Sequence, residues 1–231
     1  MDQKTYLVVG NKPWSYRIFS EKICNLPGQW RYISSIEELE TIPLQEVSPE
    51  YVFFLHWSRK VPQAIINRFN CVCFHMTDVP YGRGGSPLQN LILRGHRETK
   101  LSALRMVAEF DAGPVYLKEV LSLDGSAEEI LMRAMQQAAH MIEAIIKDQP
   151  QPVPQEGPVT LFKRRTPAES ELRAITSLTA LHDFIRMLDA DGYPAAFLVQ
   201  DGFRYEFHRA VLCSGHIEAQ VVIKPLESHS L

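Results

Sequence analysis

CVCFHMTDVPYGRGGSP, residues 71–87, is the stretch on which the reading of this chain turns. Its first five residues are mostly apolar and end in a histidine, the pattern of a short buried strand. Three glycines (82, 84, 85) and two prolines (80, 87) then fall within eight residues. They predict a fixed loop whose backbone can approach a ligand closely. Alternate side chains on a strand share a face. Cys71, Cys73 and His75 are therefore expected to point the same way, with His75 at the mouth. A lone strand-end histidine is an ordinary structural residue. What singles out His75 is its place beside this loop.

Toward the amino terminus, TYLVVG (5–10), WRYISS (30–35) and EYVFFLHW (50–57) read as strands. SYRIFSEKIC (15–24) and VPQAIINRF (61–69) have helical spacing, as does LQNLILRG (88–95). Strand and helix alternate as far as Gly95, which predicts a parallel α/β sheet. Ligands in such sheets sit at the carboxyl ends of the strands, here near Gly10, Trp57 and His75. The first turn reads GNKPWS (10–15), so the dinucleotide pattern G-x-G-x-x-G is absent.

Toward the carboxyl terminus, KLSALRMV (100–107) and GPVYLKEVLSL (113–123) read as strands. A long amphipathic helix then starts at Ser126, an N-cap with Glu129 in the capping-box position. QPQPVPQEGP (149–158) is Pro-rich, a linker or an extended crossing. Beyond it a helix is expected from near Ser177, then a hairpin with an Asp-Gly turn at 201–202 and a final strand. The expected organisation is a catalytic domain at 1–148, a linker at 149–158 and a small, mostly β module at 159–231.

The chain has 231 residues, 45% of them hydrophobic, and a net charge of −3. That charge gives no global basic footprint for nucleic acid, although Lys163, Arg164 and Arg165 form a local patch. No run approaches the roughly 20 apolar residues of a membrane helix, and the start does not read as a signal peptide. Cys24, Cys71, Cys73 and Cys213 are not spaced as a disulfide framework. A soluble, cytoplasmic protein is expected.

EFDAGPVY (109–116) is the second chemical piece. Asp111 precedes a tight turn, where an aspartate is often only a turn former. The two pieces gain meaning together. Cys73-x-His75 is followed by Pro80-x-x-Arg83-Gly84-x-x-Pro87 and, later, by Asp111-x-Gly113-Pro114. This order resembles the 10-formyltetrahydrofolate-dependent formyltransferase family, whose pattern is roughly Asn-x-His-x-Ser-Leu-Leu-Pro-x-x-Arg-Gly and later Asp-x-Gly-Pro. Thr77 also falls on a matching position. The resemblance covers most of residues 50–146. It implies a Rossmann-like α/β formyltransferase core with a parallel or mixed sheet and a small C-terminal β module. It also implies N10-formyltetrahydrofolate as co-substrate and His75, Asp111 and Cys73 as the catalytic positions.

The chemistry suits those residue types. An amine attacks the formyl carbon, a tetrahedral oxyanion forms, and the folate nitrogen leaves. A histidine can carry the proton, and a carboxylate beside it orients the imidazole. A neutral donor would bond the oxyanion. The family's donor is an asparagine. Here Cys73 stands in its place, and a thiol is a weak donor. A loop backbone N–H, Asn67 or Asn70 could supply the bond instead. A non-catalytic folate-binding relative is the alternative. A metal centre is not expected, because C-x-C-x-H on a buried strand is not a usual zinc spacing.

FKRRTPAESEL (162–172) and LHDFIRMLDADGYPAAFL (181–198) resemble the C-terminal segment of nucleotide-sugar N-formyltransferases. The loop HMTDVPYGRGGSPLQNLI (75–92) resembles the branch acting on 4-amino sugars of the pseudaminic-acid type. That implies a UDP-linked 4-amino-4,6-dideoxy-N-acetylaltrosamine as acceptor, with no nucleic-acid or membrane partner and with homodimer formation left open. Tyr81, Arg83, Gly84, Gly85, Ser86 and Trp57 are the candidate acceptor-binding residues. Trp57, Ser58, Thr77 and Gly113 are the candidate folate-binding residues. On its own, FIRMLDA (184–190) reads as an ordinary amphipathic helix, with Phe184, Ile185 and Leu188 toward a core and Arg186 in solvent. Methionyl-tRNA and glycinamide ribonucleotide are the rival acceptors.

Overall fold

A computed structural model describes residues 4–42 and 48–226. Two compact units emerge. One comprises Met1–Gly84, Thr99–Leu121 and Met132–Leu161, and the other Gly85–Glu98, Ser122–Leu131 and Phe162–Leu231.

The first unit is built on a six-stranded sheet. Its strands are β1 (Thr5–Val9), β2 (Gln29–Ile33), β3 (Tyr51–Phe54), β4 (Cys71–His75), β6 (Glu98–Arg105) and β7 (Val115–Ser122), in the order β2-β1-β3-β4-β6-β7, and the two-residue strands β5 (Arg83–Gly84) and β8 (Leu161–Phe162) are not part of it. The pairs β1–β2, β1–β3 and β3–β4 are parallel, while β6 runs antiparallel to β4. The sheet is therefore mixed, and the βα alternation up to Gly95 marks its parallel part.

β3 reads Tyr-Val-Phe-Phe and is buried along its whole length, which is why it lacks polar alternation. Leu7, Val9, Ile33, Val52, Phe54 and Cys71 form one apolar cluster with Leu39, Ile65 and Phe69 from α2 (Ile36–Glu40), α3 (Gln63–Arg68) and the segment after it. α1 (Pro13–Glu21) opens with proline at its first turn, where a missing N–H costs nothing. The long helix α5 (Ala127–Asp148) starts where expected. Ser126 Oγ accepts from Glu129 N–H at 3.3 Å, and Glu129 Oε2 accepts from Ser126 N–H at 2.7 Å.

The second unit contains α4 (Pro87–Leu93), α6 (Leu178–Arg186) and a three-stranded antiparallel sheet. That sheet comprises β9 (Ala196–Gln200), β10 (Phe203–Cys213) and β11 (His216–Pro225) in the order β11-β10-β9. Phe203 pairs with Gln200, so Asp201-Gly202 forms a two-residue turn. Asp201 and Gly202 both have positive φ, 49° and 81°, as a type I′ hairpin requires. Ser177 caps α6 by accepting from Ala180 N–H at 3.1 Å.

Arg186 corrects the expectation of a solvated side chain, because it is only 4% exposed. Its Nε donates to Asp183 Oδ1 at 2.6 Å, and its Nη1 donates to the carbonyls of Leu123 and Gly125 at 2.6 and 2.8 Å. Helical spacing alone could not show this, since the carbonyls come from a segment about 60 residues upstream.

Candidate active site

His75 ends β4, and its neighbours fix both ring nitrogens. Nε2 lies 2.8 Å from the Gly82 carbonyl, and Nδ1 lies 3.5 Å from Asp111 Oδ1. Both neighbours are acceptors, so only a ring with two N–H groups donates to each. The residue is buried, with 8% of its surface exposed. Asp111 is held in turn, since its Oδ2 accepts from the Gly84 N–H at 2.9 Å. Asp111 adopts φ +54°, a left-handed conformation that aspartate tolerates better than most residues. The turn role and the site role therefore coincide in one residue.

The loop after β4 closes on itself. Thr77 is fully buried, and its hydroxyl donates to the Gly82 carbonyl at 3.3 Å, the same oxygen that His75 faces. Ser102, opposite His75 on β6, donates to the Thr77 carbonyl at 2.7 Å. The N–H groups of Gly82 and Arg83 both donate to the Thr160 carbonyl, at 2.9 and 3.0 Å.

Arg83 is largely buried. Its Nε donates to Gln155 Oε1 at 2.9 Å, and its Nη1 lies 3.8 Å from exposed Glu109. Gln155 Nε2 donates to the carbonyls of Asp111 and Gly113 at 2.7 and 2.8 Å. Gln155 thus joins the His75 loop to the Asp111 turn. Sequence reading missed it, because a lone glutamine in a Pro-rich stretch carries no signal. The 149–158 segment also pairs with the sheet, through the bridge between Val153 and Val115.

Gly113 has a steric reason to be glycine. A Cβ there would stand 1.7 Å from the Arg105 carbonyl oxygen. Cys73 pairs with Phe54 on β3 and Leu104 on β6, and with Trp57 it packs against the apolar cluster. Burial, with the charge of Asp111 second, pushes its thiol pKa upward. Cys73 is therefore a neutral thiol at working pH and a poor nucleophile. Burial pushes Cys71 up to about 12.

Trp57 meets Phe54 edge-on at 6.1 Å, and its Nε1 is buried without a partner among the described residues. Ser58 is exposed, and Tyr81 is half-buried. Gly85 and Ser86 belong to the second unit. There Gly85 N–H donates to the Phe162 carbonyl at 3.0 Å, and Ser86 Oγ accepts from Arg165 N–H at 3.0 Å.

Two suggested oxyanion donors do not reach the site. Asn70 immediately precedes β4, the strand that His75 ends, and at ~3.3 Å per residue it lies roughly 16 Å away. Its Oδ1 accepts from Tyr116 OH at 3.0 Å. Asn67 is on α3, where its Oδ1 accepts from Gln63 Nε2 at 2.7 Å.

Fold and site together define an α/β protein with a His–Asp pair at the carboxyl edge of its parallel strands. Residues 167–224 match the family model described as the methionyl-tRNA formyltransferase C-terminal domain. A solved methionyl-tRNA formyltransferase from Clostridium thermocellum is 39% identical, covers 96% of this chain and 99% of its own, and superposes with a TM-score of 0.87. The chain belongs to the formyltransferase family, a folate-dependent one-carbon transferase family, and has its Rossmann-like fold.

A curated methionyl-tRNA formyltransferase from Dichelobacter nodosus (strain VCS1703A) is 27% identical over 180 residues, which is 74% of this chain and 56% of that protein. The chain spans about half the length of the curated relatives it matches. A 4-N formyltransferase from Francisella tularensis shares the fold, with a TM-score of 0.65 at 15% identity over 97% of this chain and 98% of that one. No helix among the described residues is long and apolar enough to cross a membrane.

Proposed function

We propose that this chain transfers a formyl group from N10-formyltetrahydrofolate to an amine, with His75 and Asp111 moving the proton. The observation that carries the reading is the fixed pair at the sheet's carboxyl edge. Asp111 is oriented by Gly84 N–H and faces His75 Nδ1. The carboxylate orients the imidazole, so a neutral His75 can accept a proton from the attacking amine and return one to the leaving folate nitrogen. Residues 1–148 carry this chemistry in the proposal, 149–158 cross it, and 159–231 form the appended module.

The residues present fit a folate donor. Trp57 and Ser58 follow β3 at the same edge and offer an aromatic face and a hydroxyl. Thr77 and Gly113 are buried, so they act by shaping the loops around the donor. The Cys73 thiol is a weak donor for the oxyanion, and the N–H groups of Gly82, Arg83, Gly84 and Gly85 already donate elsewhere, so that bond falls to His75 once it carries the proton.

For the acceptor, the names of the relatives favour methionyl-tRNA. That reading runs against the expectation of no nucleic-acid partner. A UDP-linked 4-amino sugar is the second reading. It is favoured by the net charge of −3, which supplies no broad basic surface for a tRNA backbone, and by the resemblance of the loop and C-terminal segment. In that case Tyr81, Arg83, Gly84, Gly85, Ser86 and Trp57 would serve the acceptor.

The test is turnover with N10-formyltetrahydrofolate on each acceptor separately. Formylation of one acceptor is expected, and His75→Ala should lower its kcat by about 10²–10⁴. An unchanged rate in that variant would sink the catalytic assignment, as would product formed from free formate without the folate donor.

A further inference from the structure

We propose that the tip of the β10–β11 hairpin binds a divalent transition-metal ion of the zinc class through Cys213, His216 and Glu218. The sequence LCSGHIEA (212–219) places these residues around the Ser214-Gly215 turn. Cys213 and His216 are direct cross-strand partners, and Gly215 takes φ +83° to close the turn. Glu218 lies two residues after His216 on the same strand, hence on the same face. Cys213 Sγ, a His216 ring nitrogen and a Glu218 carboxylate oxygen all lie within 4.8 Å of one another.

The histidine carries the most specific signal. Its Nδ1 lies 3.3 Å from the Ser214 carbonyl, and its Nε2 faces Glu218 Oε1 at 3.4 Å. A carbonyl accepts only from an N–H. In the neutral tautomer that carries its proton on Nδ1, the Nε2 lone pair lies on the side of Glu218. Metal-binding histidines are held this way, with the second nitrogen donating to a backbone carbonyl.

Sulfur, nitrogen and carboxylate oxygen suit zinc, at roughly 2.3, 2.0–2.1 and 2.0–2.2 Å. Atoms bound to one tetrahedral ion at those lengths stand roughly 3.3–3.8 Å apart. The three donors close to that spacing by rotation of side chains that are exposed or half-exposed. On binding, the Cys213 S–H bond breaks, a metal–sulfur bond forms, and the proton goes to solvent. Thiolate and carboxylate then neutralise the double positive charge. Water completes the fourth position.

Cobalt(II) titration of the reduced full-length chain tests the site, because a thiolate–cobalt bond gives a charge-transfer absorption in the near ultraviolet. One equivalent is expected to produce the band, and zinc to displace it. Cys213→Ser should abolish the band, while Cys24→Ser, at an exposed cysteine away from the hairpin, should leave it. His216→Ala and Glu218→Gln should each weaken binding by at least about tenfold. Absence of the band, its survival in Cys213→Ser, or unchanged affinity in either ligand variant would overturn the three-ligand site. The hairpin tip lies outside the proposed catalytic machinery, so formyl transfer and metal binding fail independently.

Discussion

At His75 the two ring nitrogens face a carbonyl and a carboxylate, and Asp111 is itself gripped by Gly84 N–H. Asp111→Asn keeps an oxygen for that N–H but removes the charge. Its kcat is expected to fall by about 10²-fold or more with little loss of thermal stability. A stopped assay beside a melting curve checks both halves, and a rate within twofold of the parent would remove the carboxylate from the mechanism. Gly113→Ala tests packing rather than chemistry. The new methyl would meet the Arg105 carbonyl oxygen at 1.7 Å, so the turn carrying Asp111 must shift. A loss of about 3 kcal/mol or more in denaturant unfolding is expected, together with lower activity. Of this site, the two named residues and the glycine-rich loop were legible in the sequence, because residue type and order carry them. Gln155 and the Gly82 carbonyl were not. Backbone acceptors have no signature, and the contact between Gln155 and Asp111 spans 44 residues.

At the scale of elements, capping and turn chemistry made boundaries readable. Ser126 and Ser177 sit where their helices begin, and Asp201-Gly202 sits where its hairpin turns. Buried charge is different, because period alone does not show what a helix faces. Arg186 binds Asp183 and two carbonyls of the 122–125 segment. Arg186→Met should cost about 3 kcal/mol, since it strands those carbonyls and a buried carboxylate that, among the described residues, keeps the more exposed Arg97 as its cation. Urea unfolding measures the loss. Adding Asp183→Leu should recover part of it, and a single variant as stable as the parent would show that Arg186 holds nothing in place.

At the scale of the whole molecule, a titrating group links stability to pH. Burial, with Lys12 nearby, lowers His56 from 6.5 to about 4. The folded chain therefore favours the neutral ring. Its contribution is fully present above pH 6.5 and is lost as pH falls from there toward about 4, on the order of 3 kcal/mol in all. His56 sits at φ +49°, which asparagine also tolerates. His56→Asn should therefore flatten the fall of Tm across that window relative to its own Tm near pH 8, while the lost edge-on contact with Trp14 lowers stability equally at every pH. An equal slope in both proteins would assign the acid sensitivity elsewhere. By itself the sequence determined the α/β class, the starts of the helices capped by Ser126 and Ser177 and the Asp-Gly hairpin, because periodicity and caps are local properties, while His75 and Asp111 were singled out together by their order in the family pattern. Only the tertiary structure decided the antiparallel seat of β6 beside β4, the Arg186 clamp, the hold of Gln155 on the Asp111 turn, and which atom each nitrogen of His75 faces. Those are contacts between distant segments, and they form only when burial of the apolar strands draws the chain together.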